Sequence, residues 1–266
     1  MKAFELLDKW PCPNVSAAVI DSSGTIRTHG DPTQVFALAS ITKLFTAVAA
    51  HLAVEEGTVV LDDVVGDHGT TMADLLGHAS GLSPQGDRVD EPGRRRIYSN
   101  AGYELAAEVI SKNAEMGFAD YLAEGVFAPL EMSSSRLLSS PAFGATSTVG
   151  DLGRFILGIR GLLAPPTIES MISPYLPELI GVLPGYGRQT PNTWGLGPEI
   201  RSEKSPHWTG SRNSAGTWGH FGATGTFVWT DPEVGASMIV LTDRDFGDWA
   251  IPLWPEASDA VLDELV

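Results

Sequence analysis

The stretch VFALASITKLFTAVAAHLA, Val35–Ala53, is almost wholly apolar and holds a single lysine, Lys43. The protein has only five lysines, at positions 2, 9, 43, 112 and 204, so one placed in a segment suited to burial needs a reason. The pattern is helical from about Ser40 to Glu56, and Gly57 stands where a helix-ending C′ residue is expected. On a helix, residues i and i+3 share a face, with Cβ atoms about 5–6 Å apart. Ser40 and Lys43 therefore meet if the helix begins at or before Ser40. A serine hydroxyl is a poor nucleophile until a base takes its proton. A lysine amine becomes such a base when burial brings its pKa down toward neutrality. The competing reading is a surface lysine on an amphipathic helix, and a Ser-x-x-Lys pair alone is a weak signal.

Outward from this segment the chain changes character twice. VSAAVID and GTIRTHG read as two short strands joined by a turn at Ser22, Ser23 and Gly24. The middle is helix-rich: TMADLLGHAS with a Thr cap, NAGYELAAEVISKN, GFADYLAEGVFAPL, TSTVGDLGRFILGIRGLL and PTIESMI. SGLSPQGDRVDEPGRRRIYSN between them is a long loop by composition. Near the end, NTWGLGPEIR, SPHWTG, GTWGHFG, GTFVWTDPE and ASMIVLTDR read as a run of antiparallel strands, and PEASDAVLDELV as a closing helix. The expected fold class is α+β, an antiparallel sheet flanked by helices and built from both chain ends, with an inserted all-helical lobe. Residues 1–60 and 180–266 would form the sheet lobe and 61–179 the helical lobe. Together they make one structural unit, with a site in the cleft between them.

Two further motifs carry chemistry. Tyr98-Ser99-Asn100 leads into a helix. A tyrosine beside a lysine can serve as base and then as acid to a leaving group, and the Asn100 amide can orient a substrate carbonyl. Their bland readings are a packed tyrosine and an N-cap asparagine. Arg94, Arg95 and Arg96 read as a solvated charge run, or else as cations favouring an anionic Tyr98. The other motif is His220-Phe221-Gly222, on an expected edge strand. Gly222 and Gly225 allow close approach to the backbone there, and a main-chain N–H can meet an oxyanion. A lone histidine beside Trp218 is otherwise a packed one. The sequence has no Gly-x-Ser-x-Gly elbow, no His-Glu-x-x-His, no Cys-x-x-Cys and no glycine-rich nucleotide loop. His51, His68 and Asp62–Asp63 make no convincing metal site.

Ser40-x-x-Lys43, Tyr98-x-Asn100 and His220-x-Gly222, in this order, resemble the serine hydrolase family of class C β-lactamases, penicillin-binding DD-peptidases and their family VIII-type esterase relatives. FALASITKLFTAVA, LLGHASGL, YSNAGYELAAEVI, YLAEGVFAPLEM, STVGDLGRF and TGTFVWTDPE extend the likeness over most of residues 15–245. The resemblance implies an acyl-enzyme path. Ser40 attacks a carbonyl, Lys43 and Tyr98 manage the protons, and the N–H groups of Ser40 and Ala223 form the oxyanion hole. No metal or organic cofactor is implied. Asn100, His220, Phe221, Gly222 and Ala223 are the expected substrate-binding residues. Which of Lys43 and Tyr98 is the base stays open, since they titrate as a coupled pair. The chain departs from the β-lactam-active members at the strand motif, where they commonly have Lys-Thr-Gly. Phe221 lacks the hydroxyl that binds a substrate carboxylate.

The expected substrate is therefore a small-molecule carboxylic ester or small amide. The alternatives are a β-lactamase or D-Ala-D-Ala carboxypeptidase, and a non-catalytic binding protein on the same fold. A formal net charge of −16 argues against nucleic acid and anionic membranes as partners. One cysteine, Cys12, excludes an internal disulfide. The N-terminal MKAFELLDKWPCP has no apolar run of a secretory leader, so the expected location is the cytoplasm. The sequence does not fix the oligomeric state.

Overall fold

The computed structural model describes residues 1–265. The chain opens with helix α1 (Lys2–Leu7) and strands β1 (Val15–Ile20), β2 (Ile26–His29) and β3 (Phe36–Ala37). A 3-10 turn over Ala39–Ile41 leads into α2 (Thr42–Glu55). The middle holds α3 (Met72–Leu76), α4 (Asn100–Ala114) and α5 (Phe118–Leu122), with a π turn over Ala123–Phe127. β4 (Arg136–Leu137), β5 (Ala145–Ser147), α6 (Val149–Leu162) and α7 (Pro165–Ile172) follow. A hairpin of β6 (Gly181–Leu183) and β7 (Gly187–Gln189) precedes β8 (Glu199–Ile200), β9 (Trp218–Gly222), β10 (Thr226–Asp231), β11 (Ala236–Thr242) and α8 (Ala250–Leu265).

The six-stranded antiparallel sheet has the order β2-β1-β11-β10-β9-β8. It joins the first strands of the chain to the last ones, as the sequence leads one to expect. Successive side chains of a strand point to opposite faces. Ala18, Ile20, Val228, Ile239 and Leu241 accordingly join the cluster that holds α2 and α6, while Ala17, Val19, Phe227, Trp229 and Val240 join the cluster that holds α1 and α8. Every residue of β11 is buried, and from Met238 to Leu241 the strand reads as a continuous apolar run rather than an alternating one.

The long apolar segment is the central helix. Thr42 to His51 of α2 are all buried, so the helix has no solvent face until its last turn, where Glu55 is exposed. Its exit is as read, with Gly57 at φ +74°. A Thr71 cap opens α3 as expected, with Asp74 completing the capping box. Two expectations are corrected here. Of NTWGLGPEIR and SPHWTG only Glu199–Ile200 forms a strand, because the backbone bonds of the rest go to scattered loop partners such as Leu179, Met171 and Tyr175 and its side chains bond among themselves, with no regular ladder. The closing helix starts at Ala250, before PEASDAVLDELV. Pro252 falls in its first turn, where amides have no intrahelical acceptor in any case.

Candidate active site

The chain around Ser40 is fixed from both sides. A Cβ added to Gly222 would meet the Leu38 carbonyl oxygen at 2.3 Å, so only glycine lets the end of β9 lie against the segment before Ser40. Thr224 and Thr226 hydroxyls donate to the Ala37 and Leu38 carbonyls at 2.7 and 3.0 Å and tie the β9–β10 turn to the same segment. This brings Ala223 beside Ser40 in one cleft. On the other side the Thr46 hydroxyl donates to the Pro141 carbonyl at 2.6 Å, holding the 141–145 segment over α2.

Lys43 is fully buried, with Nζ 3.4 Å from Ser40 Oγ, 2.7 Å from Asn100 Oδ1 and 2.9 Å from the Ala142 carbonyl oxygen. The amine lies 4.6 Å from the centre of the Tyr98 ring and 5.5 Å from that of Tyr103. Burial pushes its pKa down to about 7, against a small opposing pull from Glu104. Tyr98 moves the other way: burial raises its pKa, and its hydrogen bond with Ser40 only partly offsets this. At neutral pH the structure thus favours a neutral phenol next to an amine that readily gives up its proton.

Asn100 does not cap α4. Ser99 does, accepting from the Gly102 amide at 3.0 Å, and this leaves the Asn100 side chain for Lys43. The Ser99 amide donates in turn to His78 Nδ1 at 3.1 Å, and the His78 ring lies 4.5 Å from Tyr98. Burial and the Lys43 charge hold His78 well below the usual histidine range, so it backs the motif as a neutral ring. His220 Nδ1 donates to the Phe221 carbonyl at 2.7 Å, and burial above all brings its pKa down to about 3. It is neutral, with its lone pair on Nε2. β9 is not strictly the edge strand expected: β8 pairs with Trp218 and Gly219, and His220–Gly222 runs on beyond it.

The cleft has a volume of about 270 Å³. Ser40, Tyr98, Asn100, His220, Phe221 and Ala223 line it, Lys43 reaches Ser40 from beneath, and Gly222 packs behind. The motifs singled out in the sequence therefore converge. Leu183, Pro184, Gly185, Trp194, Glu199 and Phe246 line it too, and none of these was assigned to the site from sequence. Glu199 is the one carboxylate in the lining, and no Arg or Lys is present there. It is buried and accepts from Lys204, from His207 Nε2 at 2.9 Å and from Trp208 Nε1 at 2.5 Å. Burial works to raise its pKa, but His207 and Lys204 more than offset that and keep it ionised.

The arginine run divides. Arg95 pairs with Asp90 on the surface. Arg96 is buried and donates to the carbonyls of Gly77, Tyr175, Leu176 and Asn192, so it is a structural clamp and not a solvated charge. His51 gives Nε2 to the Leu196 carbonyl at 2.9 Å, and exposed His68 lies beside Glu91, so the two do not converge on a metal.

The profile of the family described as Beta-lactamase matches residues 5–260. The chain belongs to the beta-lactamase family. A solved structure described as a beta-lactamase from Mycobacterium bovis is 49% identical, superposes with a TM-score of 0.97, and is matched over 99% of both chains. A D-amino acid amidase from Ochrobactrum anthropi shares the fold at 20% identity and a TM-score of 0.76, over 95% of this chain and 94% of that one. Penicillin-binding protein 4* of Bacillus subtilis (strain 168) is 31% identical over 137 residues, which cover 39% of this chain and 30% of that protein. The chain thus spans under a third of the length of that curated relative. The family is one of serine hydrolases, and the α+β fold expected from the sequence is the family's fold. Among the described residues, no helix is long and apolar enough to cross a membrane.

Proposed function

We propose that the chain hydrolyses a small, uncharged carboxylic ester through an acyl-enzyme on Ser40. The observation that carries this is the buried Lys43 amine, its pKa brought down to about 7, 3.4 Å from Ser40 Oγ at the base of a cleft whose wall is largely apolar. Neutral Lys43 takes the Ser40 proton as Oγ attacks the carbonyl carbon. The oxyanion is held by the Ser40 and Ala223 amides. The C–O bond breaks, Tyr98 protonates the departing alkoxide, and protonated Lys43 restores the proton to Tyr98. Water then attacks the acyl carbonyl. Its proton passes to the Lys43–Tyr98 pair, and Ser40 leaves as the hydroxyl. Asn100 orients Lys43 and the substrate carbonyl, and His220 acts as a neutral hydrogen-bonding group.

A small amide fits the same chemistry. β-Lactam hydrolysis or D-Ala-D-Ala carboxypeptidase action is the second reading, favoured by the likeness to the Mycobacterium bovis protein described as a beta-lactamase. Those substrates carry a carboxylate. The lining holds the apolar Phe221 ring and no Arg or Lys to pair with that group, and Glu199 is already taken up by Lys204 and His207, which weighs toward an uncharged ester. We take the chain to work as one unit of two lobes, 1–60 with 180–266 and 61–179, with the site between them. A cytoplasmic location accords with a single, unpaired Cys12.

Intact-protein mass after exposure to p-nitrophenyl butyrate, a fluorophosphonate and a penicillin tests these readings. The expected result is an adduct with the first two in the wild type and none in Ser40→Ala. A penicillin adduct alone shifts the assignment to the second reading. A folded wild type that no reagent labels favours the non-catalytic binding protein.

A further inference from the structure

We infer that Phe221 is a length gate for the apolar arm of the substrate; this rests on the esterase reading above. Side chains alternate along β9, so His220 turns toward Tyr98 and Phe221 turns to the opposite face, toward α8. There the Phe221 ring is a partition. On one side it lines the cleft with Leu183, Pro184 and Phe246. On the other its ring centre lies 5.7 Å from Trp254 and 5.8 Å from Trp208. These two indoles are buried to 0% and 1% exposure and are not part of the cleft wall. Phe246 at 5.2 Å and Tyr186 at 6.0 Å close the remaining sides.

An arm that leaves the serine along this wall therefore ends against one phenyl ring, with the Trp208 and Trp254 rings packed directly behind it. The volume the Phe221 ring fills is walled by aromatic side chains, and core packing around large rings collapses only partly when one is truncated. Shortening Phe221 extends the cleft into the aromatic cluster without touching Ser40, Lys43 or Tyr98. The substrate class this assigns is a neutral ester with a short apolar arm. Whether the arm is the acyl chain or the alcohol is settled by the two arms of the test.

The experiment compares wild type, Phe221→Ala and Phe221→Trp on two series. One is p-nitrophenyl esters from acetyl to decanoyl, and the other is butyrate esters of lengthening primary alcohols. In one series the wild type should prefer short members, and Phe221→Ala should raise the kcat/KM ratio of the eight-carbon to the four-carbon member by about tenfold or more. Phe221→Trp should lower the same ratio, so the gate remains testable if the alanine variant is poorly folded. Unchanged length profiles in both series for both variants, in folded and active protein, overturn the gate and leave the esterase reading standing. A folded wild type that turns over no ester in either series overturns the esterase reading and the gate with it.

Discussion

At the residue scale, Lys43 determines the pH dependence. A free lysine has a pKa of about 10.4, and burial brings this one down to about 7. Below that value the amine holds its proton and cannot accept one from Ser40. Above it the amine is free to do so. Activity therefore rises with pH, and kcat/KM for p-nitrophenyl butyrate measured from pH 5 to 9 should show one ascending limb with an apparent pKa near 7. His220 does not contribute to that limb, because its own pKa lies at about 3 and it stays neutral throughout. Tyr98 does not either, because burial moves its pKa upward, away from the range. A flat profile would mean that another group takes the Ser40 proton.

At the scale of elements, the parts legible in the sequence are those set by local rules. The Ser40–Lys43 contact follows from helical spacing, and the apolar α2 predicts its own burial. Glycine positions 222 and 225 announce a close backbone approach, and Gly222 is indeed packed against the Leu38 carbonyl. What stays hidden is set by contacts across long sequence distances. Nothing in RRR distinguishes Arg96 from its neighbours, yet its guanidinium joins carbonyls from residues 77, 175, 176 and 192. Glu199 stands on the two-residue β8, and Lys204, His207 and Trp208 lie on irregular backbone without a period, so their convergence has no sequence signature. Asn100 reads as a cap because asparagine favours that position, but Ser99 competes for it one residue earlier and takes it. Arg96 gives the matching prediction. Arg96→Met removes a buried cation from four carbonyls and should destabilise the protein by about 3 kcal/mol or more. Arg95→Met breaks only a surface pair and should change stability by no more than about 1 kcal/mol. Urea midpoints of the two variants check the contrast, and equal shifts would deny Arg96 its clamping role.

At the scale of the whole molecule, the sheet drawn from both chain ends carries the strand motif to the nucleophile, and the acidic surface surrounds the result. A net charge of −16 creates a repulsive field for any anion that approaches the cleft. The one carboxylate of the lining, Glu199, is already paired with Lys204 inside the fold, so the repulsion comes from the acidic surface as a whole. Salt screens such a field: the Debye length falls from about 30 Å at 0.01 M to about 8 Å at 0.15 M. An ester that carries a carboxylate should therefore gain severalfold in kcat/KM over that range of ionic strength. Its uncharged isostere should not change. The comparison is made on matched esters, for example a methyl succinyl and a succinyl p-nitrophenyl ester, in sodium chloride at fixed pH above the limb that Lys43 sets. Equal salt responses would place the negative charge away from the substrate's approach. A fall in activity on the carboxylate ester as salt rises would mean that a cation guides it in, which would move the weight from an uncharged substrate to one of the carboxylate-bearing classes.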